Sequence, residues 1–350
     1  MRNKRVLLLG NIKEDSSRSM KIYLNYLKRI LPSVNVFEPS CGKVPVKVYK
    51  NFIYPFIIPK GYDIYHIIDH SYGHLARFLP KEKIVVTCHD LIPIILKKNS
   101  SFRAKFSFKY YSSGMKRAKK IIAVSENTKN DLIHFMGINP RKISVSYPWE
   151  IKKENFRAKK DKTLFPKKFK ILSIGRQYYK NFILTLQALK TLEREIDNFK
   201  ILKVGNLSKE EKEYAKNNNL TNKIEVYEKP SFKELIKLYN SADVLSFPSL
   251  YEGFGVPPLE AMAAGLPVVV SNSASLPEVV GDAAIKVNPK SFEGLAKAIK
   301  KIKENPKLRK DLIKKGYANL KRFTKEIEKK QISAIYNSFE KNPPKSISLK

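Results

Sequence analysis

Cysteine is almost absent from this 350-residue chain: Cys41 and Cys88 are the only two. Two thiols so far apart exclude a disulfide framework or a cysteine-built zinc site, and are expected as buried thiols in a reducing compartment. Long apolar runs are missing too. The most apolar candidate, 52–68, is broken by Pro55, Pro59, Lys60 and Asp63, so nothing approaches the roughly 20 apolar residues of a membrane-spanning helix. Only four apolar residues separate Arg5 from Gly10. That falls short of a signal peptide's hydrophobic region, and a cytoplasmic location is expected.

Acid is scarce. The chain carries 68 Lys and Arg against 32 Asp and Glu, a formal charge of +36, which favours an anionic partner without naming it. No acidic residue lies between Asp90 and Glu126, whereas Lys97, Lys98, Arg103, Lys105, Lys109, Lys116, Arg117, Lys119 and Lys120 do, interleaved with Phe102, Phe106, Phe108, Tyr110 and Tyr111. Such a segment suits a membrane interface or nucleic acid. A lysine bias running through the whole chain is the alternative.

With 43% hydrophobic and 29% charged residues, the composition is that of a globular protein, and the length suggests two domains. Short apolar runs alternate with helical patterns, the mark of parallel strands joined by crossover helices. Strands are expected at 5–9, 34–37, 64–68, 84–88, 121–124 and 143–147, with helices at 20–31 and 126–136 among those between them. A second set follows at 170–174, 200–204, 223–227, 244–247 and 268–270. The division expected is a first Rossmann-like domain over 1–150, a basic linker over 151–168, a second domain over 169–322, a helix over 323–340 and a tail over 341–350.

Chemistry concentrates in the second half. In Ser246–Pro267 an apolar strand runs into a loop, Tyr251-Glu252-Gly253-Phe254-Gly255, and then a helix that starts near Pro257 or Pro258 and stops at Gly265, placing proline and glycine where their backbones fit. A loop opening on a helix N-terminus suits a phosphate or diphosphate. Glu260, expected in the first turn, and Glu252, eight residues earlier, suit the hydroxyl pairs of a ribose and a transferred sugar. A second cluster, Ile171–Asn181, ends a strand at Gly175 and sets Arg176 and Lys180 beside a short loop, where open parallel sheets bind ligands. In the first half, Lys83–Pro93 puts His89 just past a buried strand, with Asp90 orienting it or capping the next turn. His66 reads as strand-buried, His70 and His74 as loop residues. Ser275-Leu276-Pro277-Glu278 has capping-box spacing.

The stretch from Glu252 to Glu260 resembles the E-x7-E signature of glycosyltransferase family 4, retaining enzymes of the GT-B fold. That resemblance implies two Rossmann-like domains facing across a cleft, with a C-terminal helix crossing back to the first. It implies a hexose moved from a nucleoside-diphosphate sugar, GDP-mannose or a UDP-hexose, to a glycan or lipid-linked acceptor in cell-surface polysaccharide, lipopolysaccharide or glycoconjugate synthesis. Catalytic roles fall on Glu252, His89, Arg176 and Lys180; donor binding falls on Gly253, Phe254, Gly255, Val256, Glu260, Arg176 and Lys180. The arginine and lysine stand in for a metal ion, so no cofactor or metal is expected, in keeping with the lack of an Asp-x-Asp pair. The loop Gly10–Ser17 departs from the family in lacking paired glycines, and Lys325 stands where a tryptophan is common. The partners expected are donor, acceptor and an anionic membrane surface, with the protein peripheral at the inner membrane face. Nucleic acid is disfavoured for want of any recognised binding module. A sugar-nucleotide epimerase or a phosphorylase on the same fold is the nearer rival.

Overall fold

A computed structural model describes residues 4–96, 102–148, 156, 168–193, 195 and 198–339; for Arg18 and residues 102–105 it describes the backbone only. Most of the expected linker, the tail from Lys341, and Lys97 and Lys98 of the basic aromatic segment lie outside the described residues. The chain divides into two units, Met1–Pro148 with Lys325–Lys350, and Trp149–Thr324.

The first unit holds six parallel strands: β1 (Val6–Leu9), β2 (Val34–Phe37), β3 (Ile64–Ile67), β4 (Ile84–Cys88), β5 (Lys120–Ala123) and β6 (Ile143–Val145). They are ordered β2-β1-β3-β4-β5-β6. Residues of β1, β3 and β4 are all buried, because crossover segments cover both faces of a parallel sheet and leave no polar side. Helix Glu126–Met136 shows how the local sequence sets its ends. Ser125 caps it by accepting from the Thr128 N–H, and Gly137 closes it at φ 62°, a left-handed conformation that glycine adopts without penalty.

The helix Lys325–Asn337 follows the second unit in the chain but packs in the first. Ile332, Ile335, Tyr336 and Phe339 share a core with Val6, Leu8, Tyr23, Tyr26 and Leu27. At its centre His66 bonds Tyr336 Oη through Nδ1 and Thr87 Oγ1 through Nε2, each at 2.7 Å. Burial, with a smaller contribution from His89, pushes His66 down to about 3, so the ring is neutral. His70 and His74 are not loop residues: they sit buried in a 3-10 run, His70–Arg77.

The second unit repeats the pattern with β7 (Phe169–Ile174), β8 (Phe199–Val204), β9 (Ile224–Tyr227), β10 (Val244–Phe247), β11 (Val268–Ser271) and β12 (Ile285–Val287). Their order is β12-β11-β10-β7-β8-β9, again parallel. Chain direction along the sheet therefore reverses between β7 and β10. At such a switch point the loops leaving the two strands diverge to opposite faces and open a crevice at their carboxyl ends. Among the described residues, no helix is long and apolar enough to cross a membrane.

Candidate functional site

The loops leaving β7 and β10 carry the second-unit residues singled out in the sequence, and they are tied together. Asn181, at φ 56°, donates from Nδ2 to the carbonyls of Pro248 (3.1 Å) and Pro289 (2.8 Å). The Leu250 N–H donates to the Tyr179 carbonyl at 2.7 Å. Between them Lys180 Nζ meets Glu252 Oε1 at 2.7 Å, with both side chains largely buried. Lys180 reaches this carboxylate because its stem lies across Gly175, at φ 117°, where a Cβ would come within 2.5 Å of Lys180 Cγ. Arg176, the next residue, is exposed.

A buried cation underlies the same loop. Lys203, on β8 and 1% exposed, donates from Nζ to the Gly175 carbonyl and lies 4.3 Å from the Phe182 ring centroid. Burial pushes its ammonium down to about 8, against the attraction of Glu211. In the sequence Lys203 is one more lysine in a lysine-rich chain. Its place between Leu202 and Val204, in a run expected as a buried strand, is the one signal the sequence held.

Beyond β10, helix Val256–Ala263 begins at Gly255, φ 105°, with no side-chain cap. A Cβ on Gly255 would sit 2.7 Å from Leu276 Cδ2. The helix begins at Val256, one or two residues before the expected Pro257 or Pro258, which fill its second and third positions. Proline has no N–H, so the anion-binding capacity of this helix end rests on the Gly255 and Val256 N–H groups and the helix dipole. Ser275 orients that backbone. Its hydroxyl meets the carbonyls of Glu252 (2.9 Å) and Phe254 (2.7 Å), and across a trans peptide the Gly253 and Gly255 N–H groups then point away from it. Ser275 therefore pins the glycine loop, and helix Leu276–Val280 has no side-chain cap, contrary to the expected capping box.

Glu260 lies in the second turn, not the first. Tyr239 Oη donates to its Oε2 at 2.6 Å. Tyr239 is fully buried, and desolvation with the Glu260 charge holds its hydroxyl protonated, fixed as a donor. Neither Tyr239 nor Ser275 carried a functional signal in the sequence, since each is an ordinary residue until the fold aims it at a site backbone or carboxylate.

His89 belongs to the first unit, past the end of β4, and is not among the groups that the second unit gathers. Its Nε2 lies 2.9 Å from the Ile68 carbonyl. A carbonyl only accepts, so Nε2 carries the proton and Nδ1 is the acceptor. Burial pushes the ring's pKa down, partly opposed by Asp69. Asp69 is itself raised by burial, but His70, His89, Asn11 and the Ser71 N–H outweigh that and hold it below the usual carboxylate range. Asp90 accepts from the Ile92 N–H at 3.0 Å, capping the following turn. Asn11, in the loop without paired glycines, bonds Asp69 at 2.7 Å. Among the described residues, no three His, Cys, Asp or Glu gather as a metal would require.

Two family models match, one for each half of the chain: Glycosyltransferase Family 4 over residues 26–149 and Glycosyl transferases group 1 over 154–319. The chain is 29% identical over 254 residues to the O-antigen chain mannosyltransferase RfbU of Salmonella typhimurium, covering 68% of this chain and 70% of that one. It is 29% identical over 267 residues to the serotype-specific mannosyltransferase WbdA of Escherichia coli, again over 68% of this chain but only 32% of WbdA, so it spans about a third of that protein. Sucrose-phosphate synthase from Thermosynechococcus elongatus superposes with a TM-score of 0.78 at 18% identity, over 96% of this chain and 99% of its own. Two Rossmann-like units, each built on a parallel sheet, with the last helix returned to the first are the GT-B fold, and the two family models make the chain a glycosyltransferase. Within that class, the chain belongs to the family 4 type.

Proposed function

We propose that this glycosyltransferase is a retaining hexosyltransferase that moves mannose from GDP-mannose, with a UDP-hexose as the alternative donor, to a glycan or lipid-linked acceptor in cell-surface polysaccharide synthesis. One observation carries the reading: Lys180 and Glu252, 72 residues apart in sequence, meet at 2.7 Å where β7 and β10 diverge. The curated relatives named mannosyltransferases favour the donor.

In this reading Glu252 and the Gly253–Val256 backbone hold the donor sugar, and Glu260, set by Tyr239, holds the ribose. A diphosphate draws the Lys180 ammonium partly away from Glu252, and Arg176 and the helix dipole add positive charge, so the leaving group is stabilised without a metal ion. His89, neutral and with Nδ1 as acceptor, takes a hydrogen bond from a sugar hydroxyl. The acceptor hydroxyl attacks the anomeric carbon on the face the nucleotide leaves. Its oxygen bonds that carbon as the carbon–phosphate oxygen bond breaks, and its proton passes to the departing phosphate oxygen. Rate then comes from holding both substrates together and stabilising the diphosphate charge.

Incubation with labelled GDP-mannose and UDP-hexoses, with and without a chelator, tests the reading. Transfer or slow hydrolysis that survives chelation, with an α-linked product from an α-linked donor, is expected. Epimer formation, inversion or a strict metal requirement overturns it. A thermal-shift screen identifies the donor independently, since a ligand at 100 times its dissociation constant stabilises by about 2.7 kcal/mol.

A further inference from the structure

The helical run 46–57 in the first unit turns aromatic residues to both of its sides. It consists of three consecutive pieces, Val46–Val48, Tyr49–Ile53 and Tyr54–Ile57. Tyr49, Lys50, Tyr54 and Pro55 face inward, and Lys50 lies 3.8 Å from the Tyr72 ring centroid. Val48, Phe52 and Phe56, each four residues from the next and so on one face, stand in solvent; both phenylalanines are 71% exposed. Isolated exposed apolar residues need no explanation, but a contiguous row does.

The row continues through ring contacts onto a second helix. Phe56 packs against exposed Phe78, with ring centroids 5.5 Å apart. Next to Phe78, Arg77 lies over the ring of Tyr110 at 4.5 Å. Tyr110 and Phe106, one turn earlier on helix Phe102–Ser113, are both exposed. Asn51 ties the two helices together by donating to Tyr111 Oη at 3.0 Å. Exposed Lys47, Lys60, Arg77, Lys81 and Lys109 lie close to these rings in sequence. No acid occurs from Lys43 to Lys60 or from Phe102 to Arg117. In the segment between, Asp69 is buried, Asp63 accepts from the Arg5 N–H and half-buried Asp90 from the Ile92 N–H; Glu82 is exposed beside Lys81 at 3.8 Å.

We propose that Val48, Phe52, Phe56, Phe78, Phe106 and Tyr110, with Arg77 and the exposed lysines of the same segments, form a docking surface for an anionic lipid bilayer. The charge complementarity selects that occupant. The rings enter the boundary between headgroups and acyl chains while the cations meet lipid phosphates, the pattern of an interfacial amphipathic helix. A nucleic acid would engage the same cations but would leave the aliphatic Val48 and the protruding phenylalanines without an apolar partner. This surface is independent of the proposed donor, and lipid binding is measured with no sugar nucleotide present. Failure here and failure of the proposed reaction are therefore distinguishable.

Sedimentation of the full chain with vesicles of phosphatidylcholine alone, and of phosphatidylcholine mixed with phosphatidylglycerol, provides the test. Binding to the anionic vesicles only, weakened in high salt, is expected. Phe52→Ser with Phe56→Ser should cut that binding by at least about tenfold, while the circular dichroism and thermal unfolding of the protein stay as in the wild type. In a third variant, Phe52→Trp, indole emission should shift to the blue on adding anionic vesicles. Undiminished binding by the double serine variant, no blue shift, equal binding to neutral vesicles, or binding to an oligonucleotide in preference to anionic vesicles would each overturn the proposal.

Discussion

Replacing Glu328 with glutamine measures how the returning helix is held in the first unit. Glu328 lies on helix Lys325–Asn337 and is 2% exposed. Burial pushes its carboxyl from 4.5 up to about 8, and the nearby Tyr26 hydroxyl offsets only part of that shift. The folded chain thus holds a proton that the unfolded chain has released. A carboxyl with a raised folded pKa contributes its full stability below pH 4.5 and loses it as pH rises toward 8. At about 1.4 kcal/mol per unit, the loss between pH 4.5 and 7 is on the order of 3 kcal/mol. Glutamine cannot ionise, so Glu328→Gln should lack this slope and overtake the wild type as pH rises. Urea unfolding at pH 5, 7 and 8.5 gives the difference, and amide exchange within 325–337 reports whether the helix itself is affected. His66 titrates with the opposite sign, losing stability as pH falls from 6.5 toward about 3, but it is present in both proteins and cancels. Parallel stability curves for the two proteins would refute the reasoning.

On the proposed reading, Glu260→Ala should chiefly raise the donor KM, because a ribose contact is alike in ground and transition states. Glu252→Ala should chiefly lower kcat, by tenfold or more, because contacts to the reacting sugar tighten as the bond breaks; unchanged kinetics in both would remove the site assignment. Ser275→Ala should cost about 1–2 kcal/mol of stability in a denaturant titration, since two buried carbonyls lose their donor, and should lower transfer by releasing the glycine loop. A variant with wild-type stability and activity would show that the loop is held otherwise. Lys203 has a depressed folded pKa, so the unfolded chain binds the extra proton between about pH 8 and 10.5 and stability from this group rises with pH over that window. Lys203→Met should flatten that rise, and an unchanged stability profile would count against a buried ammonium.

By itself the amino-acid sequence determined the fold class, the position of nearly every strand and the place where chemistry collects. A strand covered on both faces must be apolar throughout, so runs such as Ile84–Cys88 and Val244–Phe247 announce themselves without reference to their neighbours. The loop of Glu252–Gly255 was legible for a similar reason, since glycine opens and the prolines that follow restrict backbone angles locally. β12 escaped because three residues alternating Ile285-Lys286-Val287 are too few to establish a period. The run 46–57 escaped because its apolar residues face both ways and blur the helical pattern. What the tertiary structure alone decided was adjacency. Apolar patterning states which face is buried but not against what, so nothing local placed β7 beside β10, or Lys180 against Glu252. The same holds for Ser275, Tyr239 and Lys203, whose hydroxyls and ammonium acquired roles from strand order and helix packing. It holds most clearly for Lys325–Asn337, a helix whose sequence specifies an amphipathic face and whose partner lies some 300 residues earlier, at His66 and β1.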